Sequence, residues 1–186
     1  MHLIEAYSLY CGLKIDKPII KEEVVPNFKS EKFIIFNPHS KGESRNYKNW
    51  QAVIDKIHSE IKNQNIDIIQ IDSSEKEYQG CKKITNISFN QTAWLTNRAL
   101  ALLGIDSFCM HLASALNKPM LILFGGHHHF ECCRPYFGDS SKQHFFISDL
   151  KGNKPTFSQD VGQEYMDQFD SKEIATLFIE KVIKTL

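Results

Sequence analysis

A loop that follows a short apolar segment carries the residues best suited to binding an anion. The segment Lys32–Asn37 is rich in Phe and Ile and predicts a buried strand, and the polar loop Pro38–Tyr47 comes directly after it. The cations Arg45 and Lys48 and the hydroxyl group of Ser44 lie in or beside this loop. The helix predicted to follow adds the free N–H groups and the positive dipole end of its first turn. This combination suits a pyrophosphate group, although a solvated surface loop has a similar composition.

A second polar group stands where another predicted strand meets a helix. Asp106 and Ser107 are expected at the N-terminus of a helix over Ser107–Leu116, with His111 one turn inside it. Asp106 or Ser107 could be the N-cap of this helix without binding any ligand. Polar side chains at the carboxyl end of a strand nevertheless favour a ligand site in an open α/β sheet.

The segment His127–Cys133 is dense in histidine and cysteine, which raises metal binding as an alternative. Adjacent side chains rarely converge on one ion, and the segment lacks the CxxC and HxxxH spacings that are typical of zinc sites. We therefore predict no metal site and interpret the segment as a variable loop.

Strands and helices alternate along the chain, and the strands are almost wholly apolar, which predicts a parallel sheet covered on both faces. The expected fold class is α/β, a Rossmann-like doubly wound sheet whose ligand site lies at the carboxyl ends of the strands. Residues 1–31 are expected to form a short helix ended by Gly12 and a linker, and residues 32–186 the folded domain. Strands are predicted at Lys32–Asn37, Ile66–Ile71, Ile84–Ile87, Ala99–Gly104, Met120–Phe124 and Phe145–Ile147, and helices at Trp50–Lys62, Glu75–Cys81, Ala93–Asn97, Ser107–Leu116 and Ser171–Leu186.

The overall composition excludes some classes of protein. The 186 residues carry 22 basic and 22 acidic side chains, so the formal net charge is zero, which argues against nucleic acid as a partner. No apolar run is long enough to predict a membrane-spanning helix. The five cysteines have irregular spacing and an odd number, which predicts free thiols and a cytoplasmic location.

Two motifs in order resemble the ADP-heptose:lipopolysaccharide heptosyltransferase family, glycosyltransferase family 9. The segment Asp106–Pro119, followed by Leu123–Gly125, resembles the family signature D-[ST]-G-x-x-H-[LI]-A-x-A-x-x-x-P and the L-[FY]-G that follows it. The earlier Ser44–Trp50 resembles [ST]-x-x-x-K-x-W. The resemblance covers most of the chain from about Phe33 onward and corresponds to the C-terminal half of a GT-B glycosyltransferase.

The resemblance implies roles for individual residues. Lys48, with help from Ser44, is implied to contact the diphosphate of a nucleotide-sugar donor. Three further contacts to the donor phosphates or neighbouring groups are implied for Asp106, Ser107 and His111. A carboxylate after the second strand is implied to hold the ribose hydroxyls, for which Glu75 and Glu77 are the candidates. A carboxylate suits that role because it accepts two hydroxyl protons.

Two departures from the family pattern fall at the expected donor pocket. The glycine that follows D-[ST] in the family is Phe108 here, and the proline of L-F-G-P-T is replaced by Gly126. A glycine at the first position lets the backbone approach a phosphate closely, so Phe108 is expected to crowd the pocket.

The function implied is that of a donor-binding domain, which transfers a sugar from a nucleoside-diphosphate sugar when joined to an acceptor half. That half supplies the catalytic base in the family, so no catalytic residue is assigned in this chain. The implied partners are the donor (ADP-heptose in the family), a saccharide or lipid-linked saccharide acceptor, and a missing N-terminal half or a second copy. No cofactor is expected besides the donor substrate, and the location could extend to the inner face of the membrane. The alternative is a non-catalytic nucleotide-binding module or a diverged fragment.

Overall fold

The computed structural model describes residues 1–126, 129–155 and 163–185. In these residues, parallel strands form one open sheet in the order β3-β2-β1-β4-β5-β6. This order reverses direction between β1 and β4, which is the switch point of a doubly wound fold. The strands are β1 (Phe33–Asn37), β2 (Asp67–Ile71), β3 (Lys82–Ile84), β4 (Leu102–Ile105), β5 (Met120–Phe124) and β6 (Gln143–Ile147).

Helices connect the strands and cover both faces of the sheet. They are α1 (Leu3–Cys11), α2 (Trp50–Ile61), α3 (Phe89–Arg98), α4 (Phe108–Ala115), α5 (Phe130–Cys133), α6 (Gln163–Met166) and α7 (Ser171–Lys181). Short 3₁₀ turns occur at Glu43–Arg45, Lys62–Gln64, Ser140–Lys142 and Ile183–Thr185.

Alternation along β1 divides the core into two layers, because successive strand side chains point to opposite faces. Ile34 and Phe36 belong to the layer that contains the apolar faces of α2 and α7. Phe33 and Ile35 belong to the layer that contains buried residues of α3 and α4. All four side chains are almost completely buried, and each contributes about 1.5–3 kcal/mol through removal from water.

The predicted α/β fold is confirmed, including its parallel sheet and the positions of most strands. Ser107 is the N-cap of α4, because its side chain accepts a hydrogen bond from the backbone N–H of Cys109. Gly12 ends α1 in the left-handed conformation, as expected. Strands such as β1 and β5 are predicted correctly because they are apolar runs, and these helix ends are predicted because a capping residue acts on the adjacent turn only.

The helix predicted over Glu75–Cys81 is wrong, since these residues form an irregular segment with a turn at residues 79–80. The buried amide of Gln70 replaces helical hydrogen bonds there: its Nε2 donates to the carbonyl of Lys76 over 2.7 Å, and its Oε1 accepts from the N–H of Tyr78 over 3.2 Å. Tyr78 is thereby turned into the core, where it is 3% exposed.

Two neighbouring boundaries also differ from the prediction. Strand β3 occupies Lys82–Ile84 rather than 84–87. Helix α3 begins four residues earlier than predicted, at Phe89 rather than Ala93, because Ser88 and Gln91 form a capping box at its N-terminus.

The N-terminal region contacts the domain at a few points. Helix α1 has no buried residue, but the His2 ring bonds the carbonyl of Arg134 over 2.7 Å. Val25 and Phe28 pack against the core layer beneath α3 and α4. The division at residue 31 remains a prediction. None of the helices in the described residues is long and apolar enough to cross a membrane.

Candidate functional site

A cleft of about 900 Å³ opens at the carboxyl ends of β1, β2 and β3, beside the start of α4. Its position at the switch point is where open α/β sheets bind ligands. We call it the switch-point cleft. It is lined by Asn37, His39, Ser40, Lys41, Arg45, Ile71, Asp72, Ser73, Glu75, Ile84, Thr85, Asn86, Ile87, Thr92, Ser107 and Phe108.

The loop between β1 and α2 is held in shape by its own polar groups. The N–H of Ser40 donates to Asn46 Oδ1 over 2.9 Å, and Asn46 Nδ2 donates back to the carbonyl of Ser40 over 3.2 Å. The indole N–H of buried Trp50 donates to the carbonyl of Pro38 over 3.2 Å. These bonds fix the backbone that carries Arg45 and Lys41 to the cleft.

Asn37 and Ser107 join the two halves of the sheet at the floor of the cleft. Ser107 Oγ donates to Asn37 Oδ1 over 2.5 Å, and Asn37 Nδ2 donates to the carbonyl of Ile71 over 2.6 Å. Gly104 permits the close approach of β4 to the end of β1, since a Cβ there would lie 2.7 Å from the carbonyl oxygen of Asn37. Ser107 therefore stands in the cleft with its position set by β1.

Arg45 is a cation of the cleft wall. Its Nη1 donates to the carbonyl of Asp106 over 3.3 Å, which is a long hydrogen bond. Its Nε is buried and has no hydrogen-bond partner in the described structure. Gly42 packs against the guanidinium group, because a Cβ at that residue would lie 3.2 Å from Nε and from Nη2.

Two residues predicted from the first motif lie away from the cleft lining. Lys48 Nζ forms an ion pair with Asp167 over 2.9 Å, and the Lys48 side chain is 63% exposed. Ser44 is buried beneath the loop, at 1% exposure. Tyr47 and Trp50 point into the core on either side of Lys48, which directs the lysine outward. The contacts predicted between a donor and Lys48 or Ser44 remain predictions.

The second motif is divided in the same way. Ser107 lines the cleft, and Asp106 is buried directly before it, with its backbone N–H bonded to the carbonyl of Leu123 over 3.1 Å. His111 is exposed on α4 and is not part of the cleft lining. The structure thus brings Ser107 and Asp106 together at the start of α4.

Of the two carboxylates considered for ribose, Glu75 lines the cleft and Glu77 does not. Asp72, which sequence reasoning missed, also lines it. The Asp72 carboxylate accepts hydrogen bonds from Gln70 Nε2 over 2.7 Å and from the N–H of Ser74 over 2.8 Å. The position of Asp72 directly after β2 is the sequence feature that indicates a ligand site.

His39 is another cleft residue that sequence reasoning did not assign. Its Nε2 lies 2.9 Å from the hydroxyl oxygen of Tyr78, in a hydrogen bond whose direction depends on the tautomer. Burial lowers the pKa of His39, and the nearby Asp72 carboxylate opposes that shift. His39 is therefore predominantly neutral near pH 7, and a neutral imidazole ring can donate one hydrogen bond and accept another.

Phe108 stands at the wall of the cleft without filling it. It is 50% exposed and its ring centroid lies 5.8 Å from that of Phe89, which is 56% exposed. Of two other aromatic residues of the domain, Tyr78 is buried and Trp94 packs partly buried against the core.

The segment His127–Cys133, which raised metal binding as an alternative, lies partly outside the described residues, because these exclude His127 and His128. Within the described chain, no group of three or more His, Cys, Asp or Glu side chains could hold a metal ion.

Burial raises the pKa of the Cys81 and Cys109 thiols to about 12, so both are neutral near pH 7.

Comparison with known proteins decides the family. A model of glycosyltransferase family 9 (heptosyltransferase) matches residues 9–160, which is most of the chain. The chain belongs to this family. No curated protein sequence matches it.

Solved structures share the fold at low sequence identity. The chain matches the E. coli heptosyltransferase WaaC with ADP at 11% identity, with a TM-score of 0.62, over 95% of this chain and 54% of that one. It matches the iron-containing dodecameric glycosyltransferase TibC from enterotoxigenic E. coli at 12% identity and a TM-score of 0.66, over 94% and 51%. It matches a family 9 protein from Veillonella parvula at 13% identity and a TM-score of 0.57, over 98% and 51%. The chain therefore spans about half the length of these relatives.

Proposed function

We propose that the chain is the nucleotide-sugar-binding domain of a heptosyltransferase-like glycosyltransferase. Joined to an acceptor-binding half, it would transfer a sugar from a nucleoside-diphosphate sugar to a saccharide or lipid-linked saccharide acceptor. The observation that carries the proposal is the switch-point cleft, which has the cation Arg45 and the start of α4 at one part of its wall and the carboxylate of Glu75 at another.

This arrangement suits the chemistry of sugar transfer. When the glycosidic bond to the donor breaks, negative charge develops on the departing diphosphate. Cations and helix N-termini fixed in advance stabilise that charge without reorganisation. Ser107 and the first turn of α4 would meet the diphosphate, with further contacts proposed for Asp106, Ser44 and His111 from the family motifs. Lys48, which the motif also implies, forms an ion pair with Asp167 outside the cleft lining.

The cleft also offers a carboxylate that suits the nucleoside. Glu75 can accept hydrogen bonds from two ribose hydroxyl groups, and we propose it for that role ahead of Glu77, which does not line the cleft. ADP-heptose is the donor we propose, because the heptosyltransferase structures that share the fold include WaaC with ADP and TibC with ADP-D-β-D-heptose.

Acceptor binding requires protein beyond the described cleft. We propose that this protein is an acceptor half, in the same polypeptide or in another one. TibC is a dodecamer, which makes association between copies of this chain a second arrangement worth testing by light scattering.

Calorimetric titration of the purified chain with ADP, UDP and GDP, each with and without Mg²⁺, tests the binding proposal. We expect one of the three to bind at one site per chain, and Ser107→Ala to weaken that binding. The matched control is Ser141→Ala, since Ser141 is exposed in the turn before β6, where its N–H and its hydroxyl group donate to the Asp139 carboxylate. Failure of all three nucleotides to bind would overturn the proposal.

A further inference from the structure

We propose that Arg45 is the principal diphosphate ligand of the switch-point cleft. This inference rests on the proposed function, because it assigns a residue of the same site. It is carried by the position, burial and hydrogen bonding of Arg45 and by the ion pair of Lys48.

Arg45 lies in the cleft with unused capacity for hydrogen bonding. A guanidinium group has five N–H donors. In the described structure, Nη1 makes one long bond to the carbonyl of Asp106, and buried Nε makes none. Among the ion pairs of the described residues, none involves Arg45 with a carboxylate. Because Arg45 lines the cleft and has no carboxylate partner among the described residues, its guanidinium group can donate hydrogen bonds to an anion in the cleft.

The surroundings hold the guanidinium group at the cleft wall. Gly42 lies against its Nε and Nη2 face, where any larger residue would press on it. The Asp106 carbonyl fixes its other end directly before Ser107, the N-cap of α4. Arg45 and the positive end of the α4 dipole therefore act on the same region of the cleft. A guanidinium group and a phosphate form paired hydrogen bonds, which a lysine ammonium group cannot match.

Lys48 is engaged elsewhere. Its ammonium group contacts Asp167 over 2.9 Å, on the exposed side of the loop, and Lys48 does not line the cleft. An exposed ion pair of this kind is worth little for stability, so it marks the direction of the side chain rather than a strong bond.

Calorimetric titration of the whole chain distinguishes the two cations. Wild type, Arg45→Gln, Arg45→Lys and Lys48→Gln are each titrated with ADP and AMP, and with the corresponding pairs UDP and UMP, and GDP and GMP. The preference for the diphosphate over the monophosphate isolates the second phosphate, so a loss of general cleft structure, which weakens both nucleotides alike, leaves the preference unchanged.

We expect Arg45→Gln to lower diphosphate affinity by about tenfold to a hundredfold and to reduce the diphosphate preference. Arg45→Lys is expected to give an intermediate loss, because it keeps the charge without the paired geometry. Lys48→Gln is expected to change affinity by less than about threefold, as for an exposed group. If Arg45→Gln lacks the wild-type thermal transition, Arg45→Lys replaces it in the test. A reduced preference for diphosphate over monophosphate in Arg45→Lys supports the inference, and an unchanged preference overturns it.

Two failures are distinguishable. If wild type binds a diphosphate and Lys48→Gln loses the preference while the Arg45 variants keep it, the inference is overturned and the proposed function stands. If wild type binds none of the nucleotides, the proposed function and the inference are both overturned.

Discussion

Ser107 Oγ donates a 2.5 Å hydrogen bond to Asn37 Oδ1, joining the start of α4 to the end of β1 across the switch point of the sheet. The same Asn37 side chain donates to the carbonyl of Ile71 at the end of β2. One amide thus ties together three elements whose ends form the floor of the cleft. The shape of the cleft depends on that side chain being an amide, because it must donate on one side and accept on the other.

Replacing Asn37 with alanine should destabilise the domain. Asn37 is 4% exposed, so Asn37→Ala leaves the carbonyl of Ile71 without this donor and opens space beneath Ser107. We expect a loss of about 1–3 kcal/mol in the free energy of unfolding, measured by urea denaturation. The control is Asn63→Ala at an exposed position, for which a much smaller change is expected. Equal losses in the two variants would contradict the role given to Asn37.

Glu75 and Glu77 offer a matched test of ribose recognition, because they have the same chemistry and differ in whether they line the cleft. We expect Glu75→Gln to weaken nucleotide binding by about tenfold, since a hydrogen bond to a charged group is lost, and to reduce the preference for ADP over 2′-deoxy-ADP. Glu77→Gln should leave both quantities unchanged. Calorimetric titration measures both, and the reverse pattern would assign the ribose to Glu77.

Phe108→Ala tests whether the ring restricts the donor. The Phe108 ring lines the cleft where the family has glycine, so removing it should raise nucleotide affinity by a few fold through closer approach to the start of α4. Phe89→Ala is the control, since Phe89 contacts Phe108 without lining the cleft. A fall in affinity in Phe108→Ala alone would mean that the ring is itself a ligand contact.

Protonation of His39 should make the domain less stable in mild acid. Burial depresses the pKa of His39, so between its folded and unfolded pKa values the unfolded chain binds a proton that the folded chain excludes. The free energy of unfolding therefore falls as the pH drops below about 6.5, the usual histidine pKa, towards the folded value. His39→Gln should show a smaller decrease between about pH 7.5 and about pH 5.

His58→Gln is the control for that measurement, because His58 is exposed on α2. The pKa of His144 is also lowered by burial, and its contribution remains in both variants. A decrease in His39→Gln as large as that of wild type would exclude His39 as a source of the pH dependence.

The sequence predicts the sheet well because the information there is local. Strands β1, β4 and β5 are apolar runs that the sequence makes plain, and Ser107 is an N-cap whose hydrogen bond spans only two residues. The error at Glu75–Cys81 arose from Gln70, whose buried amide replaces helical bonds from outside the segment. No pattern within Glu75–Cys81 itself reveals that competition.

The site was predicted less completely for a related reason. The motifs locate the loop and the start of α4, but the directions of Arg45 and Lys48 depend on tertiary contacts with the Asp106 carbonyl and with Asp167, 61 and 119 residues away along the chain. His39 is the second residue after β1 and Asp72 the first after β2, and these positions are features of the sequence that indicate a site. The two residues meet at one cleft because β1 and β2 pair in parallel, which a single sequence does not reveal.

The measurement that tests the central claim most directly is a crystal structure of this chain with the nucleoside diphosphate that it binds most tightly. The account predicts electron density for the diphosphate in the switch-point cleft, between the Arg45 guanidinium group and Ser107 at the start of α4, with the ribose near Glu75. Density for the nucleotide at any other surface, with the cleft empty, would contradict it.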